Sequence, residues 1–574
     1  MYSVLKNVQI VIALLKKYNI RHLVLSPGSR NVPFVHSVET DDFFKCYSIT
    51  DERGAGYFAL GLAKELGEPV LISCTSSTAS SNYLPAIKKA AEENVQLVAL
   101  TADRNPYYLD QMENQMINQI DMYHSYCKKS VNLPTVTDGG SYKYCERLVN
   151  EALWELDHHG RGPVQINFPA FYGFGDFSVS SLPECRKIRR LETVSAQSEW
   201  MDIVNQLKSH KRILLIFGEG TGYDACTLRN FEEFCNKYNC VASVEHMSNI
   251  SSSKAIRTYP LTECLTHDEL QEIMPDLVIT FQGNFTSSIK EKLRAFSHKF
   301  EHWRVSEDGK ITDTFTCLTN VFEMSDNDFF ERVLSCSDAV TSSTNEYEEM
   351  WKIRLNSIKY PELGFTNFNA IRNTASNIPE GSLLHLSILN SIRMMQFFDL
   401  KKDVQVYANV GAYGIDGSFS TFLGQASSEQ NKLAYLVIGD LSFFYDINAL
   451  NIDGIGNNIR IIVINNHGGG EFFNNYTGAI KDIGRHIAAA HKASVESLIS
   501  NEQFQYCSAE NQDELNQALA AMAIKSDKPM LLEVFTDIQT DANTLRQFYK
   551  MNAHYSKASL LKNKWKGLKR RLGR

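Results

Sequence analysis

The sequence contains no Cys-x-x-Cys pair. Its 12 cysteines are scattered over 574 residues, so neither a zinc site nor a disulfide framework is signalled, and reduced thiols in a cytoplasmic protein are the simpler account. No apolar run approaches the roughly 20 residues that cross a bilayer. A basic balance is also lacking: the formal net charge is -8, which gives no reason to expect nucleic-acid binding by the body of the chain. A signal peptide is not expected, because the apolar run Val8 to Leu15 leads into Lys16-Lys17 with no small-residue cleavage site. No internal repeat is visible. What is there is a chain with 43% hydrophobic residues, ordinary for a globular protein and long enough for three or four domains with ample core.

Strand-like and helix-like segments alternate along the chain, the pattern of parallel α/β domains. In the first domain, 1–185, the strand-like runs are His22 to Leu25, Val70 to Cys74, Gln96 to Thr101 and Pro163 to Phe168. The polar stretch Arg186 to Ser198 reads as a linker. A central α/β domain, 199–335, carries Arg212 to Phe217, Val241 to Val244 and Leu277 to Phe281. Its Gly218-Glu219-Gly220-Thr221-Gly222 turn lacks the spacing and the later acidic partner of a dinucleotide fingerprint, so a glycine turn without cofactor is expected. A polar region, Ser335 to Glu349, leads to a third domain, 360–556, with strands expected at Val404 to Ala408, Leu433 to Ile438, Ile459 to Ile464 and Met530 to Val534. The tail 557–574 is basic: Lys562 to Arg574 has seven Lys or Arg, Trp565 and no acid. A solvated tail is the simpler reading; contact with an anionic membrane surface is the alternative.

Chemistry concentrates at Gly439-Asp440-Leu441-Ser442 and at Asn465-Asn466. Asp440 offers a carboxylate oxygen, Asn466 an amide oxygen and Gly468 a backbone carbonyl, a donor set that suits magnesium with a diphosphate. The spacing predicts a helix over Phe443 to Ile459, entered near Ser442, whose first N–H groups would meet a phosphate. The pattern resembles the cofactor motif of thiamine-diphosphate enzymes. These need a glutamate on N1′ of the aminopyrimidine, and Glu52, between the strand Lys45 to Ile49 and a helix through Tyr57 to Leu66, suits that role; burial should raise its pKa. A helix-capping acid is the plainer alternative.

Read in order, Ser26-Pro27-Gly28-Ser29-Arg30-Asn31, Asp51-Glu52-Arg53, Cys74-Thr75-Ser76-Ser77-Thr78-Ala79, Thr101-Ala102-Asp103-Arg104 and Asn114-Gln115 resemble one family. It is the 2-succinyl-5-enolpyruvyl-6-hydroxy-3-cyclohexene-1-carboxylate synthase family of menaquinone synthesis. Asn409 to Gly417, Gly439 to Phe444 and Asn465 to Phe472 agree with it, and the middle of the chain agrees less. The resemblance implies three parallel-sheet α/β domains of the thiamine-diphosphate-enzyme type and a homodimer or homotetramer. The cofactor would lie between the first domain of one subunit and the last domain of another. It implies thiamine diphosphate with Mg2+, or Mn2+ in its place, and cofactor contacts from Glu52, Ser76, Ile415, Gly439, Asp440, Leu441, Ser442, Asn466 and Phe472. Ile415 would hold the cofactor bent. Ser29, Arg30, Arg104, Asn114, Gln115, Ser391, Arg393 and Glu471 would face substrate. The reaction implied is loss of CO2 from a 2-oxo acid donor and transfer of the acyl carbanion to an acceptor.

The sequence departs from the family where substrates would bind. The family's Asn-Arg-Gly is Asn409-Val410-Gly411 here. The arginine closing its Asn-Ser-Met-Pro-x-Arg run is Met395, with Arg393 two residues earlier. Its Thr-Ser-Lys-Arg is Thr286-Ser287-Ser288-Ile289, and an apolar position before Phe472 is Glu471. Each lost charged hydrogen bond is worth roughly 1.5–3 kcal/mol, so two or more such losses weaken a dicarboxylate by on the order of a hundredfold. The expectation is unchanged cofactor chemistry on altered substrates, with pyruvate the simplest donor. The alternatives are the family's own reaction, 2-oxoglutarate with isochorismate, with Arg393 compensating, and a non-catalytic cofactor-binding protein. His467 is a candidate proton relay and His491 a structural residue.

Overall fold

The computed structural model describes residues 1–337, 345–362, 364–476, 480, 482–499 and 503–554. The basic tail and part of the polar region 335–349 lie outside the described residues. The first sheet takes β1 (His22–Leu25), β2 (Lys45–Ser48), β3 (Val70–Cys74), β4 (Leu97–Asp103), β5 (Lys129–Asn132) and β6 (Val164–Pro169) in the order β2-β1-β3-β4-β6-β5. All its pairings are parallel. Its inner strands read as continuous apolar runs because helices cover both faces. Leu23, Leu25, Leu71, Val98 and Leu100 pack with the helices Lys6–Lys17 and Gly139–Trp154. Their neighbours Val24, Val70, Ile72, Leu97 and Ala99 pack on the other side with Glu52–Leu66 and Leu84–Glu92. That alternation is the period-2 rule of strands. Each such Val, Leu or Ile side chain contributes about 1.5–3 kcal/mol when fully buried.

The second sheet holds β7 (Arg189–Glu192), β8 (Ile213–Phe217), β9 (Cys240–Val244), β10 (Ala255–Ile256), β11 (Leu277–Phe281), β12 (Glu301–Val305) and β13 (Leu318–Glu323), ordered β10-β9-β8-β11-β12-β13-β7. The stretch expected as a linker therefore contributes a strand: Leu191 is buried in the core of this sheet.

The third sheet is parallel throughout. It takes β14 (Leu383–Leu386), β15 (Gln405–Ala408), β16 (Ala434–Gly439), β17 (Ile459–Asn465), β18 (Gln505–Ala509) and β19 (Met530–Phe535) in the order β15-β14-β16-β17-β19-β18. One face packs Leu384, Val437, Ile462 and Leu532 against Phe368, Leu519 and Phe548, and Met247 and Tyr259 of the second layer join that cluster. The other face packs Leu436, Ile461 and Val463 against Phe419 and Phe422. Asn249 adds a polar tie, bonding both the N–H and the carbonyl of Val406 on edge strand β15. Residues 1–189 and 311–320 form one compact unit, and 190–310 with the rest of the chain a second.

The helix expected over Phe443 to Ile459 is short. It spans Asp440–Tyr445, and a 3-10 turn follows at Ile447–Asn451. Asp446 turns its carboxylate to the N–H and hydroxyl of Ser420 instead of continuing the helix. Beyond it, Asp453-Gly454 and Gly456-Asn457-Asn458 supply turn residues.

Candidate active site

In the second unit, β16 and β17 are neighbours in parallel, with Gly439 opposite Ile464. Their carboxyl ends therefore deliver Asp440 and Asn465-Asn466 to one edge of the sheet, where parallel α/β sheets bind ligands. Asp440 is 3% exposed. Its Oδ1 accepts Leu441 N–H at 2.6 Å and its Oδ2 accepts Gly468 N–H at 3.0 Å. Gly468 has φ +153°, and a Cβ there would lie 2.8 Å from the Ala488 carbonyl oxygen, so the tight loop needs glycine. Burial raises the Asp440 carboxyl above its ordinary value, against the pull of His491 and the two N–H groups.

Asn465 and Asn466 divide the work. Asn465 is structural: its Nδ2 donates to Glu533 at 2.7 Å and its Oδ1 accepts His467 N–H at 3.1 Å. Asn466 donates Nδ2 to Asp541 at 3.2 Å, which leaves its Oδ1 as the free acceptor. Asp541 also takes Asn367 N–H and the Thr536 hydroxyl, both at 2.8 Å, and burial lifts its carboxyl to about 6. Asp440 is bonded to the Gly468 N–H, and Asn466 stands two residues before that glycine; carboxylate, amide and carbonyl oxygens are donors of the kind that Mg2+ takes.

His491 Nε2 lies 3.2 Å from Asp440 Oδ2, while its Nδ1 accepts Ala493 N–H at 3.1 Å. That contact assigns the proton to Nε2, which donates to Asp440. His467, the expected relay, lies against the rings of His491 and Phe535.

The rest of the wall comes from three segments. The Ser442 hydroxyl donates to the Ile415 carbonyl at 2.6 Å, tying the 409–417 loop to the short helix. Leu441, Ile415 and Phe472 are half-buried. Ser391 is buried and receives the Ser387 hydroxyl at 3.0 Å. Arg393, on the helix Asn390–Met395, forms an ion pair with Glu471, in the first turn of the helix Gly470–Tyr476. Burial works against the Arg393 charge, but the Glu471 carboxylate more than offsets it and holds the guanidinium above its ordinary value.

In the first unit, Asp51 caps the helix Glu52–Leu66, its carboxylate accepting Gly54 N–H at 3.0 Å. Glu52 is therefore not the capping group. It is half-buried; burial raises the Cys74 thiol and the Tyr83 phenol, and the Glu52 charge adds to both. Gly28 packs onto Thr75, where a Cβ would lie 2.3 Å from the threonine Cβ. This contact brings Ser29-Arg30 to the Ser76 turn, with Arg30 N–H on Thr75 Oγ1 at 3.2 Å. Ser76 donates to the Gln115 carbonyl at 3.1 Å, and Arg104 reaches Gln115 Oε1 at 3.2 Å and Glu113 at 2.9 Å. Asn114 is exposed on the same loop. Arg30 Nε is buried without a hydrogen-bond partner. Burial, then the Arg104 charge, lower the Arg30 guanidinium.

Three groups here carried no sequence signal that pointed to the contacts they make: Glu113, His491 as a partner of Asp440, and Asp541. Glu113 directly precedes the quoted Asn114-Gln115 and was the most findable.

Residues 5–122 match the family described as "Thiamine pyrophosphate enzyme, N-terminal TPP binding domain". A curated 2-succinyl-5-enolpyruvyl-6-hydroxy-3-cyclohexene-1-carboxylate synthase of Bacteroides thetaiotaomicron is 36% identical over 561 residues, covering 96% of this chain and 99% of the relative. The chain belongs to the 2-succinyl-5-enolpyruvyl-6-hydroxy-3-cyclohexene-1-carboxylate synthase family. A relative of the same name from Phocaeicola vulgatus is 34% identical, and one from Flavobacterium johnsoniae 30%, each over 96% of this chain and 99% of its own length. Membership makes this a thiamine-diphosphate-dependent transferase acting on a 2-oxo acid, a decarboxylase and carboligase. Among the described residues no helix is long and apolar enough to cross a membrane.

Proposed function

We propose that this member of the family works as at least a homodimer and takes a 2-oxo acid donor with no second carboxylate, pyruvate being the simplest. The observation that carries this reading is the Arg393–Glu471 pair. Arg393 is the cation nearest in sequence to the family arginine lost at Met395, and Glu471 already occupies it. A second carboxylate on the donor would have to displace Glu471 and meet its charge. In the first unit Arg104 is likewise engaged by Glu113, and Arg30 remains to draw in a single carboxylate.

Thiamine diphosphate, when bound, supplies the electron sink that lets CO2 leave. Asp440, the Asn466 amide oxygen and the Gly468 carbonyl would hold its Mg2+, and Ile415 and Phe472 would pack against it. Glu52 of one subunit would hold and release a proton at N1′ of the cofactor bound by the other subunit. Ser29, Arg30, Gln115 and Asn114 would orient the donor.

A second reading is favoured by one observation, the 36% identity over nearly the whole chain to synthases of the named reaction: 2-oxoglutarate as donor and isochorismate as acceptor. A panel of 2-oxo acids separates the two. The proposal expects kcat/KM for pyruvate to exceed that for 2-oxoglutarate by tenfold or more; 2-oxoglutarate alone reacting well refutes it.

A further inference from the structure

Glu533 lies where packing alone would place a hydrophobic residue. On the face of the third sheet that buries Ile461, Val463 and Leu531, the period-2 rule puts Asn465 next along β17 and Glu533 next along β19. Both are fully buried. A carboxylate at the end of such apolar rows is unfavourable unless hydrogen bonds meet it. Asn465 Nδ2 reaches its Oε1 at 2.7 Å. The Ser494 and Tyr506 hydroxyls donate to its Oε2 at 2.7 and 2.8 Å. The Val495 N–H is shared between the two oxygens, at 3.0 and 3.2 Å. The donors come from the end of β17, from the 494–495 stretch and from edge strand β18.

The first two of these segments carry the partners of Asp440. Asn465 also ties them directly, its Nδ2 donating to the Ala493 carbonyl at 3.0 Å. On the β17 side, Asn465 Oδ1 accepts His467 N–H at 3.1 Å, and the next N–H, that of Gly468, sits on Asp440 Oδ2 at 3.0 Å. On the other side, Ala493 N–H donates to His491 Nδ1 at 3.1 Å, and His491 Nε2 lies 3.2 Å from the same Asp440 oxygen. The His491 N–H closes the ring on the His467 carbonyl at 3.1 Å. A carboxylate accepts on both oxygens, so Glu533 can take all of its donors at once. A glutamine in its place would turn one of those acceptors into an NH2 group.

We propose that Glu533 is a positioning residue for the metal-facing loop. It holds the 465–468 and 491–495 segments together, so that the Gly468 N–H and His491 stay on Asp440 and keep its carboxylate in one orientation. This rests on the reading of Asp440, Asn466 and Gly468 as the Mg2+ ligands.

The full chain is titrated with Mg2+ in the presence of thiamine diphosphate, binding is followed by intrinsic fluorescence, and the melting temperature without ligands is measured alongside. Glu533→Gln is expected to raise the Mg2+ midpoint by about tenfold or more, the usual range for outer partners of a metal site. Ser494→Ala removes one hydrogen bond and should raise it about threefold or more. The double variant should go no further than Glu533→Gln alone, because both changes break the same joint. A lower melting temperature with an unchanged Mg2+ midpoint would make Glu533 a merely structural carboxylate and overturns the inference, as do additive effects in the double variant. If Glu533→Gln does not fold, Ser494→Ala decides alone: a higher midpoint supports the inference, and the parent's midpoint overturns it. If the parent itself shows no Mg2+-dependent binding of thiamine diphosphate, the metal reading fails, and hydrogen–deuterium exchange in Ser494→Ala decides the joint. Faster exchange of the His467 and Gly468 amides than in the parent supports it, and equal exchange overturns it.

Discussion

Asn466 donates its side-chain N–H to Asp541, 75 residues further along the chain, at 3.2 Å. That bond commits Nδ2 to Asp541. In the proposed site Oδ1 would then be the oxygen left for the cation; rotated, the amide would offer it N–H groups instead. Second-layer partners of this kind are typically worth 10–100-fold in metal affinity.

Asp541→Ala should therefore weaken Mg2+ binding by about that factor. A Mg2+ titration of cofactor binding, followed by intrinsic fluorescence, reads it without turnover. An unchanged Mg2+ midpoint would show that Asn466 keeps its orientation without Asp541.

Glu471→Ile should free Arg393. Restoring one charged contact for a second carboxylate is worth roughly 1.5–3 kcal/mol, so kcat/KM for 2-oxoglutarate should rise on the order of tenfold to a hundredfold relative to pyruvate. Adding Arg393→Met should cancel the gain, because the effect belongs to the pair and not to either residue. A gain that persists in the double variant would place the recognition elsewhere.

Glu52→Gln should reduce decarboxylation by about 10²–10⁴-fold, the usual range for loss of a positioned acid or base, while cofactor affinity changes little. Asp51 already caps this helix, so the substitution should leave folding intact. Turnover equal to the parent's would refute the proton role.

Glu245 gives a pH signature. Burial lifts its carboxyl to about 7, against the hydrogen bonds from Thr286 and Ser287; an unfolded glutamate titrates near about 4.3. The fold therefore favours the protonated form. The stability this contributes is fully present below the unfolded value and is lost as pH rises through about 7. Glu245→Gln does not titrate, so the parent's melting temperature should fall relative to the variant between pH 5 and pH 8. The change approaches on the order of 3 kcal/mol at most. A difference independent of pH would mean that Glu245 stays ionised throughout.

The candidate residues Asp440 and Asn466 were legible because they close strands that read clearly. The apolar runs of β16 and β17 are buried along their length, and a polar residue at the end of such a run is conspicuous. Asp440 and Asn466 stand out for that reason. What pairs with them did not. Asp541 reads as an ordinary acid in the first turn of a helix. Arg393 and Glu471 were each conspicuous, but the bond between them spans 78 positions, and no local pattern carries it. His491 reads as a structural residue because its tie to Asp440 depends on a loop closed by the His467 carbonyl. The helix expected after Ser442 failed for a local reason: apolar spacing continued while Asp446 and Gly454 ended the helical path.

The most direct measurement is CO2 release by the purified protein with thiamine diphosphate and Mg2+, offered pyruvate and 2-oxoglutarate separately, each with and without isochorismate. Release from pyruvate, little from 2-oxoglutarate, and no consumption of isochorismate are expected. Release from 2-oxoglutarate coupled to isochorismate consumption would contradict this expectation, and would show that the Arg393–Glu471 pair opens to admit a second carboxylate.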